Sequence, residues 1–458
     1  MPDYLPHTDE EIAEMLAFLG LSSLDELFDA VPAALRIAGG LRLAPGIPEP
    51  DVLARARGRA EANRGRADRL VCFAGAGAYD HEVPPVVRAL AGRSEFVTAY
   101  TPYQAEVAQG GLQAIFEFQT MVSRLFGLPI ANASLYDGAS AVVEAVNLGV
   151  GSTGRPGVLV SAGVHPHWRA VLATFAAGTG HRLVEVPLEE GRTRWDKVAG
   201  EDDIGVVVVG YPNYLGCLED LAEVRELCDQ RGAVMAVAAD PVAAGVLRSP
   251  GEWGADVAVG EGQPFGTPLS FGGPYLGLFA CSTAHVRRLP GRLVGQTLDG
   301  DGRLAYVTTL RAREQDIRRE KATSNVCTNQ TLMALTAAIQ LGWLGTTGLA
   351  EVATRCARGS RYCRQALVGL GGVEPLTGPT ATFREFAVRL PLPARVAVER
   401  LADEGFLAGV ALEDLVGEGG DGSVSEDGAT HGLLVAVTER RSRDEIDRFV
   451  AALDKAVR

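Results

Sequence analysis

Lysine is nearly missing from this 458-residue chain: Lys197, Lys321 and Lys455 stand against forty arginines. Genomic composition bias is the plain explanation, yet it leaves any lysine chemistry with three candidates. Cysteine is sparse too. The seven cysteines form no CxxC pair and no zinc spacing, which predicts reduced, mostly buried thiols in a cytoplasmic protein. No apolar run reaches the roughly eighteen residues of a membrane span, and the acidic start (MPDYLPHTDEE) lacks a signal peptide's basic-then-apolar order. Excess positive charge is also absent. A net charge of −14 and a pI near 5.1 argue against nucleic acid or an anionic membrane as partner. What remains is ordinary for a globular protein, 47% hydrophobic and 22% charged, with length for roughly two or three domains.

Residues 1–69 read as a helical arm. Thr8 with Glu11, and Ser23 with Glu26, each fit a capping box ahead of apolar residues at helical spacing. An extended stretch through Pro45, Pro48 and Pro50 follows, then an Arg-rich helix near 50–69 that reads as a solvated face. Such an arm is expected to wrap over a neighbouring surface, often another subunit. Phe73–Tyr79 (FAGAGAY) invites a dinucleotide reading, but Asp80 stands where the third glycine is needed and HEVPP follows where a helix should continue.

Tyr100, Tyr103 and Gln104 fall on a loop, because Thr101-Pro102 blocks helix before Gly110-Gly111. From Leu128 onward, short apolar runs alternate with helical stretches: 128–132, 157–162, 181–186, 204–210, 233–239, 255–259 and 275–281. These are seven strands, and Val206–Val209 implies burial on both sheet faces. The alternation predicts a mostly parallel sheet with helices on both sides and ligands at the strands' carboxyl ends. At those ends, Asp137 reads as a helix N-cap whose carboxylate would keep phosphate off the amides behind it. Asp240-Pro241 likewise reads as an N-cap with proline at the first helical position. His165-Pro-His167 has no nearby carboxylate or cysteine, so no metal site is expected. Residues 303–333 carry a charged run whose default is a solvated helix, then the polar turns Thr323–Asn325 and Thr328–Gln330 before an apolar helix at 332–345. Residues 70–345 form the large domain. Residues 346–458 form a small α/β domain with strands near 383–390 and 433–437, helices at 394–404 and 443–456, and a flexible acidic loop at Gly417–Gly422.

The densest signal is Gly260–Pro274, GEGQPFGTPLSFGGP, with five glycines and three prolines between two apolar runs. A strand-end Asp240, then a further strand, then this loop, is similar to the layout of aspartate-aminotransferase-like pyridoxal-phosphate enzymes of fold type I. In those enzymes the Asp holds the pyridine nitrogen and a lysine in the second loop forms the imine. Here Gln263 or Pro264 takes the lysine's place, and neither can form an imine.

The segments TPYQAEVAQG, NASLYDG, GEGQPFG…FGGPYLG, PGRLVGQT and AREQDIRREKATSNVCTNQ, in that order, resemble the glycine cleavage system P-protein family, and specifically its N-terminal half or subunit 1. The resemblance covers essentially the whole chain. It implies the aspartate-aminotransferase-like fold, with a mostly parallel seven-stranded sheet and a small C-terminal α/β domain. It also implies a non-lysine subunit that binds no cofactor itself, paired with a homologous pyridoxal-phosphate-bearing subunit 2 in a dimer of heterodimers. The family decarboxylates glycine and passes the aminomethyl group to the lipoyl arm of H-protein. On this reading Tyr100, Tyr103 and Gln104 rim the partner's site, supported by Asn132 and Ser134. Asp240, Gln263, Thr323 and Asn325 mark a degenerate cofactor site. Two other readings stay open at this point: a complete enzyme using Lys197 or Lys321, and a non-catalytic scaffold or regulatory protein.

Overall fold

The computed structural model describes residues 6–37, 41–63, 70–417 and 421–458. Residues 64–69 of the expected Arg-rich helix and 418–420 of the acidic loop lie outside them. The chain divides into two units, 1–63 and 64–458.

In the first unit, Asp9–Leu19 is a helix closed by the expected capping box: Thr8 Oγ1 accepts from the Glu11 amide, and Glu11 accepts from the Thr8 amide. The second expected helix is only a 3-10 stretch, Leu24–Phe28, and Ser23 gives no side-chain cap. Ser22 engages Glu26 instead, from its amide and its hydroxyl, and so takes the carboxylate that Ser23 would need. Helix Glu49–Ala62 takes Pro50 into its first turn, where a missing N–H costs nothing, so the extended segment is shorter than expected. None of these helices buries a residue, and Phe18 and Phe28 are exposed.

The second unit is built on a seven-stranded sheet: β1 (Ile130–Ala131), β2 (Gly157–Ser161), β3 (Arg182–Val186), β4 (Ile204–Tyr211), β5 (Val234–Ala239), β6 (Val257–Glu261) and β7 (Gly277–Cys281). The spatial order is β1-β7-β6-β5-β4-β2-β3. β2, β3, β4, β5 and β6 pair in parallel, while β7 runs antiparallel to both β6 and β1. The valine run in β4 shows why the sheet is buried on both sides. Val207 and Val209 pack into one core with helix Gln109–Phe126, and Val206 and Val208 into another with helix Gly138–Thr153. Leu112, Ile115, Phe118, Val122 and Leu125 form the buried stripe of helix Gln109–Phe126.

The charged run at 303–333 is not a helix at its start. Leu304–Thr309 is a strand paired antiparallel with Leu293–Leu298, because Asp299-Gly-Asp-Gly302 supplies a hairpin turn and the strand's residues pair across it. Helix Thr331–Val368 is long and apolar enough, by composition, to cross a membrane. It is interrupted at Gly345, where φ is 60° and ψ −174°, and it buries Ala334 and Ala353 in one core and Cys363 and Leu367 in another. Beyond it, Glu385–Arg389 and Gly432–Ala436 pair in a four-stranded sheet covered by helices Ala394–Asp403 and Arg443–Val457. Val71–Cys72 pairs in parallel with Phe406–Leu407, so the start of this unit packs with its C-terminal part.

Candidate functional site

The carboxyl ends of β4, β5 and β6 open on a cleft of about 80 Å³, walled by the turn after β4, the loop at Gly77–Tyr79, the start of helix Pro166–Thr179 and the Phe383–Glu385 segment. Gly216, at φ 84°, lets the Glu385 backbone close the floor, since a Cβ there would strike the Glu385 carbonyl.

Asp240 follows β5 directly, but no helix starts at Pro241. Only a 3-10 turn, Ala243–Gly245, forms, because Gly245 is pressed against the Leu349 backbone. The expected N-cap role is therefore corrected. Asp240 Oδ1 accepts from the Val242 amide at 2.9 Å, and Oδ2 pairs with Arg384 Nε at 2.7 Å. That contact is an ion pair, not an aligned hydrogen bond. The Arg384 guanidinium lies 3.6 Å over the Tyr79 ring and reaches His81 Nε2. His81 Nδ1 meets Glu439 at 2.6 Å, and Glu439 also accepts from the Glu82 amide. Burial works against the Glu439 carboxylate, but the bonds from His81 and the Glu82 amide outweigh it and hold the group near 2. The cluster His81, Cys356 and Glu439 offers three ligand types close together, yet both His81 nitrogens are already engaged.

Gln263 follows β6 and is buried. Its Oε1 accepts from the Tyr79 amide at 3.0 Å, and its Nε2 donates to Tyr79 O at 3.1 Å and Thr267 O at 2.8 Å. Gln263, one of the two residues expected at the lysine's place, thus braces Tyr79 with its amide. Tyr79 in turn donates to Glu385 Oε2 at 2.7 Å, while Glu385 Oε1 accepts from the Ala76 amide at 2.7 Å. Burial pushes the Glu385 carboxyl up to about 7 against those two bonds.

At the other end of the cleft, Asp137 caps helix Gly138–Thr153 as expected, accepting from the Ser140 amide at 2.7 Å. Glu261 accepts from Gly138 N at 2.9 Å and also from the Gln263 and Leu276 amides, and burial lifts it to about 7. Two amides of this helix start therefore already serve carboxylates. The residues present do not fit a phosphorylated pyridine. The strand-end Asp holds an arginine, neither Gln263 nor Pro264 can form an imine, and acidic side chains occupy the helix start. Lys197, Lys321 and Lys455 are all exposed, and none lines the cleft.

Thr323 and Asn325 are likewise not among the cleft's walls. Their neighbour Ser324 engages Glu144, and Val326 packs on the core beneath helix Gly138–Thr153. His165 caps helix Pro166–Thr179 and contacts Ala76 O at 2.9 Å, and burial lowers its imidazole to about 4.

The Tyr100–Gln104 loop is a second cluster. Tyr100 is 80% exposed and Tyr103 59%. Against Tyr103 lies Arg292, a residue of PGRLVGQT for which no role was expected. Its backbone is held by Ala133, while the residues expected to support the rim, Asn132 and Ser134, bond elsewhere. The Ala133 amide donates to Arg292 O, Asn132 Nδ2 donates to Pro290 O, and Ser134 Oγ accepts from the Gln330 amide. Arg384, Tyr79 and Glu385 were also missed. The one available signal was a charged pair, Arg384-Glu385, at the start of an apolar strand.

The family model for the glycine cleavage system P-protein matches residues 2–404. The chain is 47% identical over 454 residues to the probable glycine dehydrogenase (decarboxylating) subunit 1 of Moorella thermoacetica, covering 98% of each. It is 45% identical over 457 residues to the protein of the same name from Chlorobium chlorochromatii, again covering 98% of each. Among solved structures it superposes with TM-score 0.89 and 44% identity on glycine decarboxylase (P-protein) of the glycine cleavage system in inhibitor-bound form, covering 99% of this chain and 100% of that one. A NifS-like protein at 13% identity, with TM-score 0.62 over 84% of this chain and 98% of its own, shares the fold.

Proposed function

This chain belongs to the glycine cleavage system P-protein family and matches subunit 1 of glycine dehydrogenase (decarboxylating) along its length, and from that premise we propose that it is the subunit without an imine-forming lysine. It works with a homologous subunit 2 that carries pyridoxal phosphate, in a dimer of heterodimers in the cytoplasm. Together they decarboxylate glycine and pass the aminomethyl group to the lipoyl arm of H-protein. This chain binds no cofactor itself and is inactive alone. The observation that carries the reading is the Asp240–Arg384 ion pair: the carboxylate that would hold a pyridinium already holds the chain's own cation.

In this reading the Tyr100, Tyr103 and Gln104 loop rims the partner's site, presenting hydroxyls and an amide that orient a carboxylate without trapping it. The test is to purify the chain alone and with its partner, add pyridoxal phosphate, reduce with borohydride and record visible absorbance. The chain alone should show no reducible adduct and the complex one adduct, on the partner. An adduct mapped to Lys197, Lys321 or Lys455 would overturn the proposal.

A further inference from the structure

Arg292 is 8% exposed, and among the described residues it makes hydrogen bonds only to neutral oxygens. Nη1 donates to Thr101 Oγ1, and Nη2 donates to Tyr103 Oη and Cys327 O, each at 3.3 Å. The guanidinium carbon also lies 5.2 Å from the Tyr103 ring centre. No carboxylate of the described residues forms an ion pair with it. Arg311, on the same ring at 6.0 Å, differs, because Asp316 balances it at 3.3 Å. Glu314 feels the field of Arg292 but makes no ion pair with it. A buried guanidinium facing only neutral acceptors is an uncompensated charge, and an arriving anion would relieve it.

The direction of the bonds says how. An arginine only donates, so the oxygens of Thr101 and Tyr103 are committed as acceptors toward it. Each hydroxyl keeps its own hydrogen for another acceptor, and neither donates to a described residue. Two O–H donors, backed by one cation, therefore face outward from the exposed loop.

We propose that Arg292 is a positioning residue that fixes Thr101 and Tyr103 as hydroxyl donors for the carboxylate of an amino-acid substrate at the partner's site. The proposal rests on the reading of this loop as a rim of that site. A monoanion suits the geometry: the cation sits behind the hydroxyls and acts through them, with no free bidentate fork for a dianion.

The test uses the assembled complex carrying Arg292→Met, Arg292→Lys or Thr101→Val. Glycine affinity is read from the change it causes in the partner's cofactor spectrum, alongside KM and kcat, cofactor content and thermal midpoint. Arg292→Met should weaken glycine binding by roughly tenfold or more. Arg292→Lys should recover part of that loss, and Thr101→Val should lose less, with cofactor content unchanged. A purely structural arginine would lower the thermal midpoint without changing glycine affinity in the folded enzyme, and that result overturns the proposal. Loss of cofactor with glycine affinity intact also overturns it, because the anion would then be the cofactor phosphate. If Tyr103→Phe impairs the enzyme while Arg292→Met and Thr101→Val do not, this assignment falls and the rim reading stands. If Tyr100→Phe and Tyr103→Phe are silent as well, the rim reading falls with it.

Discussion

The Asp240 cleft and the Tyr100–Gln104 loop are both polar clusters, and they differ in how completely the chain satisfies them. In the cleft, Asp240 holds Arg384, Glu385 holds Tyr79 and Ala76, and Gln263 braces Tyr79 on both its backbone groups. On the loop, the exposed phenol of Tyr103 stands over a buried arginine with which no described carboxylate forms an ion pair. A network closed on itself contributes to folding and has little left for a ligand, whereas an open one has donors to offer. The cleft has the place of an active site in this fold without its chemistry. The loop has some of the chemistry without an active site of its own, which fits a subunit that completes another.

Removing Arg384 tests the closed side most severely. Arg384→Met leaves the half-buried Asp240 without its cation, and truncating one partner of a buried pair costs about 3–5 kcal/mol, so a loss toward the lower end of that range is expected. Denaturant unfolding should show that loss, and Asp240→Asn in the same chain should recover part of it. A loss under about 1 kcal/mol would mean that the cleft is not a closed network, and the comparison with the loop would collapse.

The open side should respond in activity, not stability. Tyr100→Phe and Tyr103→Phe remove hydroxyls from a solvent-exposed loop, so unfolding should be unchanged within about 0.5 kcal/mol. In the assembled enzyme each should lower decarboxylation by about 2–4 kcal/mol of transition-state stabilisation, with the partner's cofactor spectrum intact. Full activity for both variants would remove this loop from the mechanism. The largest stability effect and the largest activity effect are thus expected at different clusters.

Much of this contrast was hidden from the sequence, although the frame was not. Strands buried on both faces announce themselves as runs such as Val206–Val209, and all seven segments of the sheet lie where the apolar runs placed them. The Leu304–Thr309 strand was lost because charge density was weighed above the Asp-Gly repeat at 299–302, which is a hairpin signal. Asp137 was legible as a cap because capping is local. Asp240 was misread because its partner, Arg384, is far away in sequence and arrives only through tertiary folding. Arg292 had the same problem: its meaning lies in the hydroxyls of Thr101 and Tyr103, brought to it across the fold.

The smallest effect concerns protons in the closed cluster. Burial lifts Glu385 from its ordinary 4.5 to about 7, and Glu261 and Glu144 likewise to about 7. A carboxyl that holds its proton more tightly folded than unfolded gives the folded state more bound protons between those values. These carboxyls should therefore draw stability down as pH rises from about 4.5 to about 7, partly offset by His165, whose imidazole, lowered from 6.5 to about 4, adds stability as pH rises over the same range. Glu439, held near 2, has the opposite sign, but its contribution is lost only as pH falls below 4.5, outside this window. Glu385→Gln keeps the contacts, with its Oε1 accepting from the Ala76 amide and its Nε2 donating to the Tyr79 oxygen, and removes one titration. The decline between pH 5 and 7 should then shrink by about 2 kcal/mol. Thermal midpoints of both proteins across that range provide the measurement, and parallel curves would show that Glu385 is already ionised and held by something other than its burial. Glycine affinity in the complex should not follow this change, since the loop shares no hydrogen bond with Glu385. If it did, the two clusters would be coupled, and the closed cleft would be reporting to the rim.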